Sequence, residues 1–341
     1  MMPNHKKKTR AGVVGAGHMG QYHILVYAEL WDVELVGIVD TDFEKAKTVA
    51  AQYDTRAFRD YHDLIGKVDV LSVAVPTPLH FPIAKELLEA GIHTLVEKPL
   101  TLTLEDAKEL FRIARERGVV IQVGHVERFN GAVQELRKIV ERPILVESRR
   151  LGPFVPRVQH DTVVMDLMIH DIDIVLSLVG SEVEHIYAAG RSVHSDETDV
   201  ANVQLSFESG AIATVTASRA TEQKIRTLAI TQPEAYIVLD YTDQDIQIHR
   251  RALSEYTLNR ESIRYKQASF VEHLFVHKEN PLKLEIQHLI KAAEDARETG
   301  QVDLADEEDL RSLAVALEVE RMIREGRSGH RWADDRPWKV R

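Results

Sequence analysis

The rhythm of apolar positions along this chain changes once, near Gly124. Before that point, short apolar runs alternate with helix-length segments. Ala11–Val14, Glu34–Val39, Val68–Val75, Gly91–Val96 and Val119–Val123 read as strands, and the near-continuous ones suit a parallel sheet buried on both faces. Met19–Leu30, Phe43–Tyr53 and Pro82–Ala90 read as helices between them. A further helix opens at Thr103–Asp106 with a capping pattern and carries Leu104, Ala107, Leu110, Phe111 and Ala114 at helical spacing. This alternation predicts a doubly wound parallel sheet over residues 1–127. Beyond it, Pro143–Leu151, His185–Val193, Val200–Phe207, Ala211–Ala217, Ile225–Ile230, Ala235–Leu239 and Asp245–His249 follow one another as strands. Glu208-Ser209-Gly210 forms a hairpin turn within the series. Leu282–Glu298 and Glu307–Arg324 close the chain as helices. Residues 128–341 are therefore expected to form an α+β domain with an open antiparallel sheet. Unless those helices cover it, the open face suits association between copies of the chain.

The first strand runs into Gly15-Ala16-Gly17-His18-Met19-Gly20, a G-x-G-x-x-G turn that opens a helix. The first glycine permits the tight turn, the second lets backbone N–H groups approach a pyrophosphate, and the third lets helix and strand pack closely. An anion is favoured there by the unpaired N–H groups and dipole of the helix N-terminus. Asp40 stands at the end of the second strand, 20 residues after Gly20, where a carboxylate would accept from an adenosine ribose. Together these predict an N-terminal Rossmann domain. The acid would repel a 2′-phosphate, so NAD is expected as the cofactor rather than NADP. Asp42 adds to this, and the nearest base, Lys45, lies further along.

Two more segments fall at carboxyl ends of parallel strands, where such sheets bind ligands: Pro76-Thr77-Pro78-Leu79-His80 and Glu97-Lys98-Pro99. A lysine there, partly buried beside a cationic nicotinamide, would be biased towards its neutral form and able to share a proton with a substrate hydroxyl.

The later strands are interrupted by Thr162–Val179, apolar nearly all round and so expected to be a buried helix. Asp166, His170 and Asp173 share one of its faces, at i, i+4 and i+7. The stripe is open to three readings: a core histidine satisfied by carboxylates, a metal site needing recruits such as His160 or Asp161, or acid–base chemistry on a hydroxyl. No metal is expected. Arg149, Arg150 and Arg157 lie just before the helix. They read either as a basic cluster for a diphosphate or as a strand edge facing water.

Composition narrows the setting. Of 341 residues, 44% are hydrophobic and 28% charged, ordinary for a soluble globular chain of two domains. The net charge of −11 argues against nucleic acid or anionic membrane as a partner. The absence of cysteine removes disulfides and thiolate chemistry. Neither an apolar run long enough to span a membrane nor a signal-peptide pattern is evident, so a cytoplasmic location is expected.

These motifs together resemble the Gfo/Idh/MocA oxidoreductases over nearly the whole chain. The resemblance rests on Gly15–Gly20 with His23, Pro76-Thr77-Pro78 with His80, Glu97-Lys98-Pro99, the run GHVERFN at 124–130, and Asp166-x-x-x-His170. It implies that Gly15, Gly17, His18, Met19 and Gly20 hold the dinucleotide and Asp40 its ribose. Thr77, Pro78, His80 and His125 would line the cofactor cleft, and Glu97 and Lys98 would approach the nicotinamide ribose. Lys98, Asp166 and His170 would be catalytic, with His170 the general base, and all three would meet the substrate together with Arg128, Arg149 and Arg157. One departure is Gly131, where relatives often carry proline. Within the family, VGHVERFN (123–130), RRLGPFVPR (149–157), VVMDLMIHDID (163–173) and NPLKLEIQHLI (280–290) look most like the UDP-N-acetylglucosamine 3-dehydrogenases. That implies a nucleotide-sugar substrate oxidised at C3 and an aminotransferase that uses the ketone to make a 2,3-diamino sugar for lipid A. It also implies a homo-oligomer, dimer or tetramer, joined through the antiparallel sheet. Two alternatives stand beside this: an inositol or free-sugar dehydrogenase, and a catalytically silent dinucleotide-binding sensor.

Overall fold

The computed structural model describes residues 8–156, 160–251, 255–259, 262–266, 269–332 and 337–338. They divide into two compact units: 8–129 with 280–314 and 337–338, and 130–279 with 315–332.

The first unit is built on six parallel strands, β1 (Thr9–Val14), β2 (Val33–Val39), β3 (Arg56–Phe58), β4 (Val70–Val73), β5 (His93–Glu97) and β6 (Ile121–Gly124). Their order is β3-β2-β1-β4-β5-β6, so the chain reverses direction of travel beside β1 and leaves a crevice there. Helices α1 (His18–Glu29), α2 (Phe43–Gln52), α3 (His80–Glu89) and α4 (Leu104–Arg117) connect the strands. Local signals stop and start them as the sequence suggests. Thr103 caps α4 by accepting from the Asp106 N–H, and Gly118 ends it in the left-handed conformation.

One helix of this unit comes from far along the chain. α7 (Pro281–Thr299) is capped by Asn280, whose side chain accepts from the Leu282 and Lys283 N–H groups. Its Leu282, Ile286, Leu289, Ile290, Ala293 and Ala296 lie in the same core as Ala11, Val13, Ile24, Tyr27, Ile38 and Leu95. The sequence reading placed this helix with the second domain. Its apolar stripe instead packs with the parallel sheet, and helical periodicity reveals a stripe without revealing which sheet it meets.

The second unit holds α5 (Gly131–Ile139), β7 (Leu145–Leu151), α6 (Ile169–Val179), β8 (Val183–Arg191), β9 (Val200–Phe207), β10 (Ile212–Ser218), β11 (Ile225–Gln232), β12 (Ala235–Asp240), β13 (Asp245–Arg251) and the hairpin β14 (Glu255–Asn259)–β15 (Ser262–Lys266). It also holds β16 (Ser269–Leu274) and β17 (Gly329–Arg331). Nine of these strands form one sheet, ordered β16-β13-β12-β11-β7-β10-β9-β8-β17. The sheet is mixed rather than wholly antiparallel, because β7 and β10 pair in parallel while the other pairs run antiparallel. α6 lies between β7 and β10 in sequence and supplies the crossover a parallel pair needs. Alternation along β7 puts Val146, Ser148 and Arg150 inward, and leaves Glu147 and Arg149 exposed on the other face. Helix α8 (Asp306–Glu325) ends the described helices. No helix among the described residues is long and apolar enough to cross a membrane.

Candidate active site

In the first unit the glycine turn has the shape its spacing suggests. Gly15 has φ +99°, and a side chain there would meet the Ala74 carbonyl; at Gly20 one would strike the Gly15 carbonyl oxygen. Those two glycines are explained by the protein's own packing. Gly17 is not: a Cβ there would have nothing within 4 Å. It sits at the N-cap of α1 with no side chain to satisfy the helix end. A glycine at an open helix N-terminus is what close approach of an anion requires, so the turn fits a pyrophosphate.

Asp40 closes β2 and is tied to the turn. Its Oδ2 accepts from the Ala16 N–H at 2.8 Å and its Oδ1 from the Asp42 N–H at 2.9 Å. A carboxylate has lone pairs left over for ribose hydroxyls. Lys45, the nearest base along the sequence, reaches back to Asp40 with Nζ at 3.4 Å. The first turn of α2, capped by Asp42, carries it there.

At the ends of β4 and β5, Thr77 and Pro78 form a single 3₁₀ turn (Thr77–Leu79) leading into α3. His80 is buried, with Nδ1 2.9 Å from the Pro99 carbonyl and Nε2 2.8 Å from the Val75 carbonyl. It therefore ties together the loops that follow the two strands. Burial lowers its pKa despite those acceptors. Glu97 is buried and bonds His23 Nε2 at 2.8 Å; His23 Nδ1 lies 3.1 Å from Ser72 Oγ, which lies 3.0 Å from the Tyr27 hydroxyl. Burial pushes the Glu97 carboxyl up, but the His23 bond, with Lys98 and His80 nearby, brings it below the ordinary range. The Glu97–His23–Ser72–Tyr27 chain was not legible in the sequence beyond His23. Lys98 follows, half-buried, ahead of a cis peptide to Pro99.

After β6, His125 is buried with Nε2 3.5 Å from Ser312 Oγ. Arg128, assigned above to substrate, is held by Asp309: Nη2 lies 2.8 Å from its carboxylate. His288 of α7 bonds Gln122 Oε1 at 2.9 Å, and Gln122 donates to the Glu285 carbonyl at 3.0 Å.

In the second unit the predicted helix begins with one π-helical turn, Val164–Met168, that periodicity did not reveal. Wider turns of this kind recur at functional sites. Thr162 caps it, its hydroxyl accepting from the Met165 N–H and its carbonyl from the Asp166 N–H. Asp166 and His170 are half-buried, one above and one below the π/α junction, while Asp171 and Asp173 are buried. Asp171 is engaged by Arg150, Nε to Oδ2 at 2.6 Å and Nη2 to Oδ1 at 3.2 Å. Arg150 also stacks over the Tyr241 ring.

This dissolves the arginine cluster. Arg150 is consumed by a buried ion pair, and Arg149 lies on the sheet face opposite the one that packs α6, because consecutive strand residues point to opposite faces. The structure thus does not bring Arg149 to Asp166 and His170. Arg157 lies outside the described residues. Gly131 is explained locally: a Cβ would meet the His277 carbonyl at 2.5 Å, and its N–H bonds Gln244, so proline would not fit.

The comparisons agree with this architecture. Residues 9–125 match the Gfo/Idh/MocA model described as an oxidoreductase family with an NAD-binding Rossmann fold, and residues 131–238 match that family's C-terminal domain. A UDP-N-acetylglucosamine 3-dehydrogenase of Acidithiobacillus ferrooxidans is 37% identical over 243 residues, 71% of this chain and 77% of the relative. A solved structure of that enzyme superposes with a TM-score of 0.84 at 32% identity, covering 94% of this chain and 99% of the other. The myo-inositol 2-dehydrogenase of Thermotoga maritima is 28% identical over 228 residues, 62% and 68% of the two chains. The chain belongs to the Gfo/Idh/MocA family of oxidoreductases.

Proposed function

We propose that this protein is an NAD-dependent dehydrogenase that oxidises the C3 hydroxyl of UDP-N-acetylglucosamine to a ketone. The observation that carries the reading is the similarity to the Acidithiobacillus enzyme across nearly all of both chains. Within this frame, the glycine turn and Asp40 hold the dinucleotide, and Thr77, Pro78, His80, Glu97 and His125 shape its surroundings. The cofactor, when bound, accepts a hydride from the sugar carbon. Lys98 holds the reacting oxygen, His170 takes the hydroxyl proton, and Asp166 orients a neighbouring hydroxyl. A half-buried imidazole suits that task, because its ordinary pKa lies near the operating pH. The ketone would pass to an aminotransferase. The face of the mixed sheet that exposes Tyr187, Asn202, Gln204, Glu147, Arg149 and Tyr236 is the proposed surface for a dimer or tetramer. A cytoplasmic location completes the reading.

A second reading, oxidation of an inositol or free sugar, is favoured by the fate of the arginines. With Arg150 paired and Arg149 on the far face, the basic cluster no longer argues for a diphosphate. Incubation with NAD and either UDP-N-acetylglucosamine or myo-inositol, with a ketone trap present, decides between the two. NADH formation on the nucleotide sugar alone supports the first; formation on inositol alone overturns it. His170→Ala should lower turnover roughly 10²–10⁴-fold in a folded protein. Cofactor binding with no turnover on any polyol would leave the silent-sensor alternative.

A further inference from the structure

The helix that carries Asp166 and His170 is held at its start by groups outside it. A helix begins with N–H groups that its own turns cannot satisfy. Here the Val163 N–H donates to the Thr198 carbonyl at 2.8 Å, and the Asp166 N–H to the Thr162 carbonyl at 2.9 Å. The Met165 N–H donates to the Thr162 hydroxyl oxygen at 3.2 Å. Thr198 is itself set firmly, because the next residue, Asp199, is fixed by Arg219 and by the N–H groups of 193–195. The freedom left at this cap is therefore the side chain of Thr162.

That side chain is fixed by one residue of α8. Glu320 lies in the part of α8 that belongs to the second unit, and its carboxylate accepts from the Thr162 hydroxyl. A hydroxyl has one hydrogen to give, so donation to Glu320 turns the oxygen lone pairs towards the Met165 N–H. The carboxyl is only 14% exposed, and the nearest printed cation, Arg324 at 3.9 Å, is itself 77% exposed. Burial raises the Glu320 carboxyl above its ordinary range; the Thr162 bond and Arg324 offset this in part, while Glu197 and Asp161 add to it. An apolar side chain would avoid that cost, so what the carboxyl adds is an acceptor for Thr162.

The cap matters for the site because the first turn is a π turn, closed by the Ile169 N–H on the Val164 carbonyl. Such a turn holds one residue more than an α turn. Where it begins decides which face Asp166, within it, presents relative to His170, beyond it.

We propose that Glu320 is a positioning residue for the reaction: by accepting the Thr162 hydroxyl it fixes the cap that starts the π turn, and so sets Asp166 in line with His170. The proposal rests on the reading of those two residues as groups that meet the substrate.

The test compares Glu320→Leu, Glu320→Gln, Thr162→Val and Thr162→Ser in the full-length protein. Turnover is measured with NAD and whichever of UDP-N-acetylglucosamine and myo-inositol the natural protein oxidises, beside NAD affinity and amide hydrogen exchange at 165 and 166. Glu320→Leu and Thr162→Val should each lower kcat roughly 10–100-fold, the scale of a misplaced catalytic group, and speed exchange at both amides. NAD affinity should stay within about twofold. Glu320→Gln and Thr162→Ser, which keep the acceptor and the hydroxyl, should restore most of the turnover. The double variant Glu320→Leu with Thr162→Val should be no slower than the slower single one, since both remove one bond. Unchanged kcat in Glu320→Leu overturns the proposal, as does a Glu320→Gln protein equally impaired. Parallel loss of NAD binding and turnover also overturns it, since that marks a folding role. If Glu320→Leu does not fold, Thr162→Val and Thr162→Ser carry the same comparison. Unchanged exchange at 165 and 166 overturns the positioning step alone, whereas turnover of neither sugar by the natural protein overturns the dehydrogenase reading and the proposal with it.

Discussion

The parallel sheet of the first unit and the mixed sheet of the second bury their ionisable groups in different ways. In the mixed sheet the pairs are closed. Arg150 grips Asp171 with two nitrogens, and Asp199 takes three backbone N–H groups at 193–195 together with Arg219. Burial pushes the Asp199 carboxyl up, but those donors bring it well below the ordinary range. In the parallel sheet the arrangement stays open. Glu97 is satisfied on the His23 side, Glu285 has no hydrogen bond among the described residues, and Gly17 faces open space. Closed pairs hold a fold in place, whereas an open glycine turn at a strand end leaves room for a ligand. Substitutions in the two sheets should therefore fail differently.

The largest effect is expected from opening a closed pair. Arg150→Met leaves Asp171 as an uncompensated buried charge, and should cost about 3–5 kcal/mol in denaturant unfolding. Replacing both partners, Arg150→Met with Asp171→Leu, should recover most of the loss. If the single and double variants are equally unstable, the pair is not what matters and the contrast between the sheets fails.

The glycine turn should lose function without losing the fold. Gly17→Ala adds a methyl group into open space, so stability should change by no more than about 0.5 kcal/mol. NAD affinity should fall roughly 10–100-fold, because the methyl occupies the position an anion needs. Gly20→Ala should instead disrupt folding of the first unit, since its Cβ would strike the Gly15 carbonyl. Binding measurements beside melting curves separate the two outcomes. Unchanged NAD affinity in Gly17→Ala would remove the anion from the turn.

A smaller, pH-dependent effect belongs to the parallel sheet. His93 Nδ1 accepts the Val120 N–H at 3.0 Å, and burial, with Arg297 adding to it, lowers the ring to about 4. An unfolded histidine titrates near 6.5. On acidification through this window the unfolded chain binds a proton that the folded chain refuses. The contribution is thus complete above 6.5 and lost as pH falls towards 4. For this buried ring it amounts to about 3 kcal/mol at most. His93→Gln, which retains an acceptor, should show a smaller drop in unfolding midpoint between neutral and acidic pH than the natural protein.

What the sequence revealed follows the same division. The strand ends of the parallel sheet were legible because backbone conformation, glycine and local caps determine them: Gly15–Gly20, Asp40, Thr77–His80 and Glu97-Lys98 all lie at ends of strands or in the turns that follow them. Local pattern also found the helix bearing Asp166 and His170, though not its π turn. It could not pair Arg150 with Asp171, or send α7 to the first sheet, because such contacts depend on tertiary register. Strand alternation was the available signal for Arg150, since two consecutive arginines on a strand cannot face the same way.

The smallest effect is the sharpest test of that alternation. Arg149 is paired in register with Thr216 of β10 and Thr227 of β11, and its side chain is exposed on the face away from α6. Arg149→Ala should change stability by less than about 0.5 kcal/mol, as for other exposed positions outside a buried network. It should also leave the KM for the sugar substrate within about twofold, since a residue that does not touch the substrate contributes nothing to binding it. A large rise in KM would mean that the exposed face takes part in substrate recognition, and sedimentation of the same variant would show how. If the protein sediments as the proposed oligomer, its loss together with the rise in KM would trace the effect to association through that face. A rise in KM with no change in sedimentation would restore Arg149 to the substrate and return support to a diphosphate-bearing sugar.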